Sequence, residues 1–138
     1  MSRQMVIIAW VCQIIMVAIL AQTLFFKFTF APETQYIFAR IGGRPAATLT
    51  GLAELACVAL LLVPRTSALG AVASIGVMMG AVLTHVFVIG ITWDDPVTKT
   101  RDNGVLFGLA LAVALLGGVV TILRRAQLVT LISQIRGQ

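Results

Sequence analysis

Two ionisable side chains, Glu54 and His85, stand inside long apolar segments of this sequence. A carboxylate in membrane hydrocarbon costs about 3 kcal/mol or more, so it needs a partner or a purpose. Lys27, Asp102 and Asn103 stand at the ends of neighbouring apolar segments. A carboxylate, an imidazole and an ammonium group brought together could exchange protons with a bound ligand. These residue types predict a site that holds a polar ligand group.

Helical spacing extends this set of residues. Thr50 lies four residues before Glu54, so the two share one face of a helix. Thr23 shares a face with Lys27, and Gln22 lies one residue around from it. We expect Glu54 and His85 to be the catalytic pair, and the following residues to bind the ligand: Lys27, Gln22, Thr50, Asp102 and Asn103. The simpler interpretation is an ion pair, either Glu54–His85 or Glu54–Lys27, that only fixes the register of the helices.

The composition places these groups in a membrane. The chain has 138 residues, of which 59% are hydrophobic and 11% are charged, against roughly 25% charged in an ordinary soluble domain. Four helices of this composition have too few polar residues to turn a polar face to water. The net charge of +5 does not indicate nucleic-acid binding, because the Lys and Arg residues stand at the ends of apolar runs and not along one basic stripe.

Four apolar segments are long enough to span a bilayer as helices. They cover residues 5–26, 46–63, 68–91 and 104–123. A short amphipathic helix near residues 32–41 is expected to lie at the level of the headgroups. The mixed tail from residue 126 to residue 138 is expected to continue the last helix along or beyond the membrane surface. The sequence therefore predicts an all-α integral membrane four-helix bundle that forms one domain over residues 1–138.

Counting residues places the polar groups in one half of the membrane. We call the surface near residues 27–45 and 92–103 the loop face, and the surface near the termini and residues 64–67 the terminal face. At ~1.5 Å per residue, Glu54 lies ~13 Å and His85 ~9 Å below the loop face. Lys27 stands at that face itself. A cavity in this half of the membrane is therefore expected.

Small residues and cysteines predict how the helices pack. Two sets repeat at every fourth residue, Gly76, Gly80 and Thr84 in one and Gly104, Gly108 and Ala112 in the other. Small residues at this spacing let helices approach closely in lipid, so both sets are expected at helix–helix contacts. The short connection at residues 64–67 predicts a tight hairpin in which Thr66 or Ser67 caps the next helix. Cys12 and Cys57 show no metal-binding spacing and are interpreted as buried small hydrophobic residues. No metal site is expected.

The charged residues indicate which side of the membrane holds the termini. An even number of spanning helices puts both termini on one side of the membrane. Five basic residues stand at each face, and all the acidic residues of the loops stand at the loop face. Basic residues near the membrane have more influence on orientation than acidic ones. Because their numbers at the two faces are equal, the acidic residues are the remaining indication of orientation. We expect both termini in the cytoplasm.

The order of these features resembles the DoxX family. The resemblance is carried by Gln22-Thr-Leu-Phe-Phe-Lys27-Phe, Gly51-Leu-Ala-Glu54-Leu, Leu62-Val-Pro-Arg65, Ala81-Val-Leu-Thr-His85 and Asp102-Asn103-Gly104. It covers most of the chain from residue 21 to residue 123. The family's Lys, Glu and His correspond to Lys27, Glu54 and His85.

The resemblance implies a four-helix fold in the bacterial inner membrane and an association with respiratory or redox systems. Its relatives include subunits linked to thiosulfate:quinone oxidoreduction, and most members have no assigned reaction. The leading hypothesis is a membrane subunit that binds a quinone-like or other amphipathic ligand among Lys27, Glu54 and His85. No haem is expected within the single chain, because one histidine cannot supply two axial ligands. The partners expected are the lipid bilayer and either another protein subunit or further copies of the chain.

Two other classes of function are consistent with the same residues. One is a non-enzymatic accessory or assembly factor for another membrane complex. The other is a proton-coupled transporter of a small solute that uses Glu54, although four short helices leave little room for two gates. A bound redox ligand would favour the first hypothesis, a co-purifying complex the second and a pH-driven flux the third.

Overall fold

The computed structural model describes the whole chain from Met1 to Gln138 and is built from four long helices. These are α1 (Arg3–Phe28), α3 (Gly43–Leu62), α4 (Ser67–Thr84), which continues as a π-helical turn (His85–Ile89), and α5 (Val105–Leu123). All four are long and apolar enough to cross a membrane. The prediction of an all-α membrane four-helix bundle is confirmed.

Shorter elements lie at the two ends of the bundle. At the loop face are α2 (Pro32–Phe38) and an antiparallel hairpin of β1 (Trp93–Asp95) and β2 (Thr100–Asp102). At the terminal face is α6 (Arg125–Arg136). The helix α2 begins at the predicted residue but ends at Phe38 instead of near residue 41, and α6 is a separate helix that follows a break at Arg124. The β-hairpin is not predicted.

The four spanning helices form a closed ring in the order α1, α3, α4, α5, so that each packs against two neighbours. The centre of the ring holds fully buried apolar side chains, among them Met16, Leu61 and Val113. Cys12 and Cys57 are buried in the same core, as predicted. The outer surface carries exposed residues such as Leu115 and Ile122, and this apolar exterior fits hydrocarbon as its solvent.

Two close approaches between helices involve glycines that the spacing rule does not select. A Cβ atom on Gly70 would lie 2.7 Å from the backbone nitrogen of Leu61, so α3 and α4 touch backbone to backbone beside their connecting turn. A Cβ atom on Gly117 would lie 2.9 Å from Cγ1 of Ile75, which lets α5 pack closely on α4. Any larger residue at Gly70 would force these two helices apart.

The packing prediction for the two small-residue sets is wrong within this chain. A Cβ atom on Gly76, Gly80 or Gly108 would meet no atom within 4 Å. Gly104 serves a different purpose, because its φ of +93° belongs to the left-handed turn that leads into α5. A four-residue repeat identifies one face of a helix but not whether another helix covers that face.

The hairpin at the loop face is held by local side-chain bonds. Asp95 accepts hydrogen bonds from the amide of Val97 (3.0 Å) and from the hydroxyl of Thr98 (2.6 Å). The ring of Trp93 stacks on Tyr36 of α2, with ring centres 4.5 Å apart. Hairpin and α2 thus form one layer over this end of the bundle.

The cap at the start of α4 comes from the C-terminal helix, so the prediction that Thr66 or Ser67 provides it is wrong. The Gln127 side-chain oxygen accepts hydrogen bonds from the Ala68 amide (3.1 Å) and from the Ser67 hydroxyl (3.2 Å). Its nitrogen donates to the carbonyl oxygen of Pro64 (2.7 Å). The Gln127 side chain is longer than those of Thr66 and Ser67 and supplies both a donor and an acceptor. It holds α6 to the turn that connects α3 and α4.

Candidate ligand-binding cavity

Glu54 forms an ion pair with Lys27 across the contact between α1 and α3. The ammonium nitrogen of Lys27 lies 3.0 Å from both carboxylate oxygens of Glu54. The hydroxyl of Thr23, one turn before Lys27 on α1, shares its hydrogen between this carboxylate at 3.1 Å and the carbonyl oxygen of Leu20 at 2.8 Å. The Glu54 side chain is only 3% exposed and that of Lys27 14%. The charge that lipid disfavours is therefore paired and hydrogen-bonded.

His85 stands apart from this ion pair, at the point where α4 changes to a π-helical turn. Its Nδ1 lies 2.9 Å from the carbonyl oxygen of Ala81. Since a carbonyl oxygen only accepts, Nδ1 carries a proton, and when this is the only proton on the ring Nε2 has a free lone pair. Nε2 is buried and has no hydrogen-bond partner. Buried polar atoms are nearly always satisfied, so this atom is available to a ligand.

The two carboxylate oxygens of Asp102 have different surroundings. One carboxylate oxygen accepts a hydrogen bond from the amide of Val105 at 3.0 Å, which satisfies a free amide at the start of α5. The other oxygen is buried without a partner. Asp102 ends β2 and is buried, whereas its neighbours Arg101 and Asn103 are exposed. Of these two neighbours, Arg101 also lines the cavity.

These groups line one cavity of about 700 Å³ in the half of the bundle nearer the loop face. Its walls come from all four spanning helices and from α2 and β2, and are mainly apolar. Its polar lining includes Thr23, Lys27, Thr50, Glu54, His85 and Asp102. A volume of this size, apolar with a few converging polar groups, is typical of a site for a small molecule.

The structure brings together five of the seven predicted site residues. Lys27, Thr50, Glu54, His85 and Asp102 all line the cavity. Of these, Thr50 uses its hydroxyl within α3, where it donates to the carbonyl oxygen of Ala46 at 2.9 Å.

Gln22 and Asn103 are exposed and do not line the cavity. Gln22 is turned away because one residue rotates a helix position by about 100°, and Thr23 takes the place beside Glu54. Asn103 is turned outward because neighbouring residues of an extended strand end point in opposite directions.

A second buried polar group lies near the terminal face, and the sequence does not predict it. Arg124 donates from Nε to the side-chain oxygen of Gln13 at 2.8 Å, and Gln13 donates to the carbonyl oxygen of Leu61 at 2.7 Å. The guanidinium group also lies over the ring of Trp10, at 5.6 Å. The signal for this group was Gln13 itself, a polar side chain in the middle of an apolar span, which must find a partner away from lipid.

The cavity contains groups for hydrogen bonding and proton exchange but no cluster suited to a metal ion. No set of three or more His, Cys, Asp or Glu residues is arranged to hold a metal. No protein-family model, curated protein or solved structure matches the chain. The resemblance to the DoxX family therefore rests on the residues of this chain alone.

Proposed function

We propose that this protein is a small DoxX-type membrane subunit, associated with redox or respiratory enzymes, that binds a quinone-like ligand in the cavity. The observation that carries the proposal is the free Nε2 of His85, a buried acceptor beside an apolar volume. The paired charges of Lys27 and Glu54 line the same volume. A ligand with a polar ring and an apolar body matches this combination of groups.

The hydrogen bond at Nδ1 of His85 favours the reduced form of such a ligand. Because Nδ1 is bonded to the carbonyl of Ala81, the neutral ring accepts a hydrogen bond at Nε2. A quinol hydroxyl can donate this bond, whereas a quinone carbonyl cannot. Lys27 has three ammonium hydrogens, and Glu54 is its only hydrogen-bond partner. This leaves Lys27 free to donate to the second oxygen of the ligand.

Electron transfer, in this proposal, belongs to a partner protein. The contribution of this chain is to hold the ligand head group and to accept or return its proton. Quinol oxidation releases two protons and two electrons, and the residues of the cavity handle only the protons.

Binding of a quinol tests the proposal directly. The protein in lipid nanodiscs is titrated with a decyl-tailed benzoquinol, and binding is measured at equilibrium. We expect His85→Phe, which keeps an aromatic ring but has no acceptor, to bind about tenfold more weakly, as for the loss of one hydrogen bond to a buried polar atom. Thr48→Val removes an exposed hydroxyl of α3 outside the cavity and serves as the matched control. If the unmodified protein binds neither the quinol nor its quinone, the proposal is rejected. Unchanged binding of the quinol by His85→Phe would also reject it.

We place the protein in a bacterial inner membrane with both termini in the cytoplasm. Val97, at the tip of the hairpin, is 86% exposed and would then face the periplasm. A cysteine at this position, with Cys12 and Cys57 replaced by alanine, should react with an impermeant maleimide in intact cells. Reaction only after the membrane is disrupted would reverse the orientation.

A further inference from the structure

The path into the cavity follows from how α3 and α4 separate. Beside their turn the two helices touch at Gly70, where a Cβ atom would lie 2.9 Å from Cβ of Leu60. Ala53 and Leu49 precede Leu60 by seven and eleven residues, so all three lie on the face of α3 that is turned to α4. Ala53 and Leu49 nevertheless line the cavity and are exposed. The helices that touch at the terminal face have therefore separated at this level.

The opposite edge of the gap consists of glycines. Gly76 and Gly80 of α4 line the cavity, are exposed, and have open space where a side chain would stand. We call the gap bounded by Leu49, Ala53, Gly76 and Gly80 the portal. It lies within the membrane-spanning part of both helices, so the medium outside it is lipid.

The inner end of the portal differs from its outer edge in chemistry. The outer edge is apolar and without charge, whereas the cavity behind it holds the Lys27–Glu54 ion pair and His85. His85 is 5% exposed, and its Nε2 has no partner. A buried acceptor that lines the same cavity as an apolar opening selects a ligand that carries a hydrogen-bond donor at one end and hydrocarbon at the other.

We infer that the ligand enters sideways from the bilayer through the portal, with an uncharged hydroxyl-bearing head at His85 and a hydrocarbon tail left between α3 and α4. This inference rests on the proposed function for the identity of the head group, and adds the requirement for a tail. Ligands without a tail reach the head-group site but gain nothing from the portal. The tail is therefore part of what the protein recognises.

Filling the portal tests the requirement for the tail. Gly80→Phe places a ring in the open space, and Gly108→Phe is the matched control. Gly108 is equally exposed and uncrowded but does not line the cavity. In nanodiscs we expect Gly80→Phe to weaken binding of a decyl-tailed benzoquinol about tenfold, because the tail loses its apolar contacts. Binding of the same benzoquinol without a tail should be unchanged in both variants. Equal binding of the tailed ligand by both variants would overturn the inference.

A second measurement tests the portal without any quinone. Gly76→Trp is compared with Leu115→Trp, with Trp10 and Trp93 replaced by phenylalanine in both. Leu115 is 73% exposed on α5, and both positions lie ~12–13 Å from the terminal face by helical rise. In vesicles of dibrominated phosphatidylcholine, we expect the two tryptophans to be quenched to a similar extent.

Quenching at Leu115 without quenching at Gly76 would show that the gap is closed or covered by a second copy of the chain, and would overturn the inference. Equal quenching in a protein that binds no benzoquinol would leave the portal standing and reject the quinone as its ligand. The two failures are therefore distinguishable.

Discussion

The ammonium group of Lys27 lies 3.0 Å from both carboxylate oxygens of Glu54, and the pair joins α1 to α3 at the wall of the cavity. Such a pair connects two helices and also forms part of the site. Removing one partner leaves the other charge uncompensated, whereas removing both need not be costly. Stability and ligand binding therefore respond differently to the same substitutions.

We expect Glu54→Leu to lower the free energy of unfolding by about 3 kcal/mol, because it leaves the charge of Lys27 without a partner. The double variant Lys27→Met with Glu54→Leu should recover part of this loss. Glu54→Gln keeps an acceptor for Lys27 and Thr23 and should lose only about 1 kcal/mol, while binding of the benzoquinol decreases. Thermal unfolding in mild detergent measures all three variants. A double variant as unstable as Glu54→Leu alone would show that the ion pair is not the cause.

Arg124 and Gln13 should behave as one structural unit that has no part in ligand binding. Arg124→Leu removes the donor to Gln13 and should destabilise the bundle by about 2 kcal/mol, since a buried acceptor loses its partner. Arg125→Leu changes the exposed neighbour and is the control, with no effect expected. Unfolding temperature and benzoquinol binding are measured side by side. Weaker benzoquinol binding by Arg124→Leu would contradict this separation of roles.

Gln127 is expected to hold α6 in place. Gln127→Ala leaves the Ala68 amide, the Ser67 hydroxyl and the Pro64 carbonyl without this partner, at a cost of about 1 kcal/mol for the lost helix cap. Limited trypsin digestion should then cleave after Arg125 faster than in the unmodified protein. Gln134→Ala, an exposed position on the same helix, provides the control. Equal cleavage of both variants would mean that the Gln127 bonds do not restrain α6.

The hairpin should loosen in acid because of Asp95. Hydrogen bonds from the Thr98 hydroxyl and the Val97 amide hold the pKa of this carboxyl below its ordinary value. A lowered pKa in the folded state means that the bonds stabilise the hairpin fully above the ordinary value of about 4. That contribution is lost as the pH falls through the folded-state pKa.

Fluorescence of Trp93, which stacks on Tyr36, follows this change once Trp10 is replaced by phenylalanine. The signal should change in the unmodified hairpin below about pH 4 and stay flat with pH in Asp95→Asn, which cannot ionise. A matching acid transition in Asp95→Asn would assign it to another group.

The sequence predicts the spanning helices because length and apolar content are properties of a single segment. It also leads to Lys27 and Glu54, since depth along each helix follows from residue counts. The rotation of neighbouring helices relative to one another is not available from one segment. The sequence therefore predicts Gln22 at the site, whereas Thr23 is the residue that faces the carboxylate of Glu54. It likewise predicts helix contacts at Gly76 and Gly80, whereas the close contact between α3 and α4 is at Gly70.

The sequence does not predict the hairpin of β1 and β2, for a different reason. Each strand is three residues long and its turn depends on side-chain bonds of Asp95, so no alternating apolar pattern marks it. The pairing of Gln13 with Arg124 becomes visible only in the fold, because the two residues are 111 positions apart in the sequence. Their pairing is a property of the closed ring of helices.

The close contact of α3 with α4 at Gly70 makes the two halves of the membrane unequal for this protein. The helices α3 and α4 touch towards the terminal face, and the portal extends from Gly76, near the middle of the membrane, towards the loop face. A ligand that enters through the portal would therefore come from the middle of the bilayer or from the leaflet next to α2 and the hairpin. The supply of ligand would then depend on the composition of that leaflet, and a ligand delivered to the opposite monolayer would first have to reach the middle of the membrane.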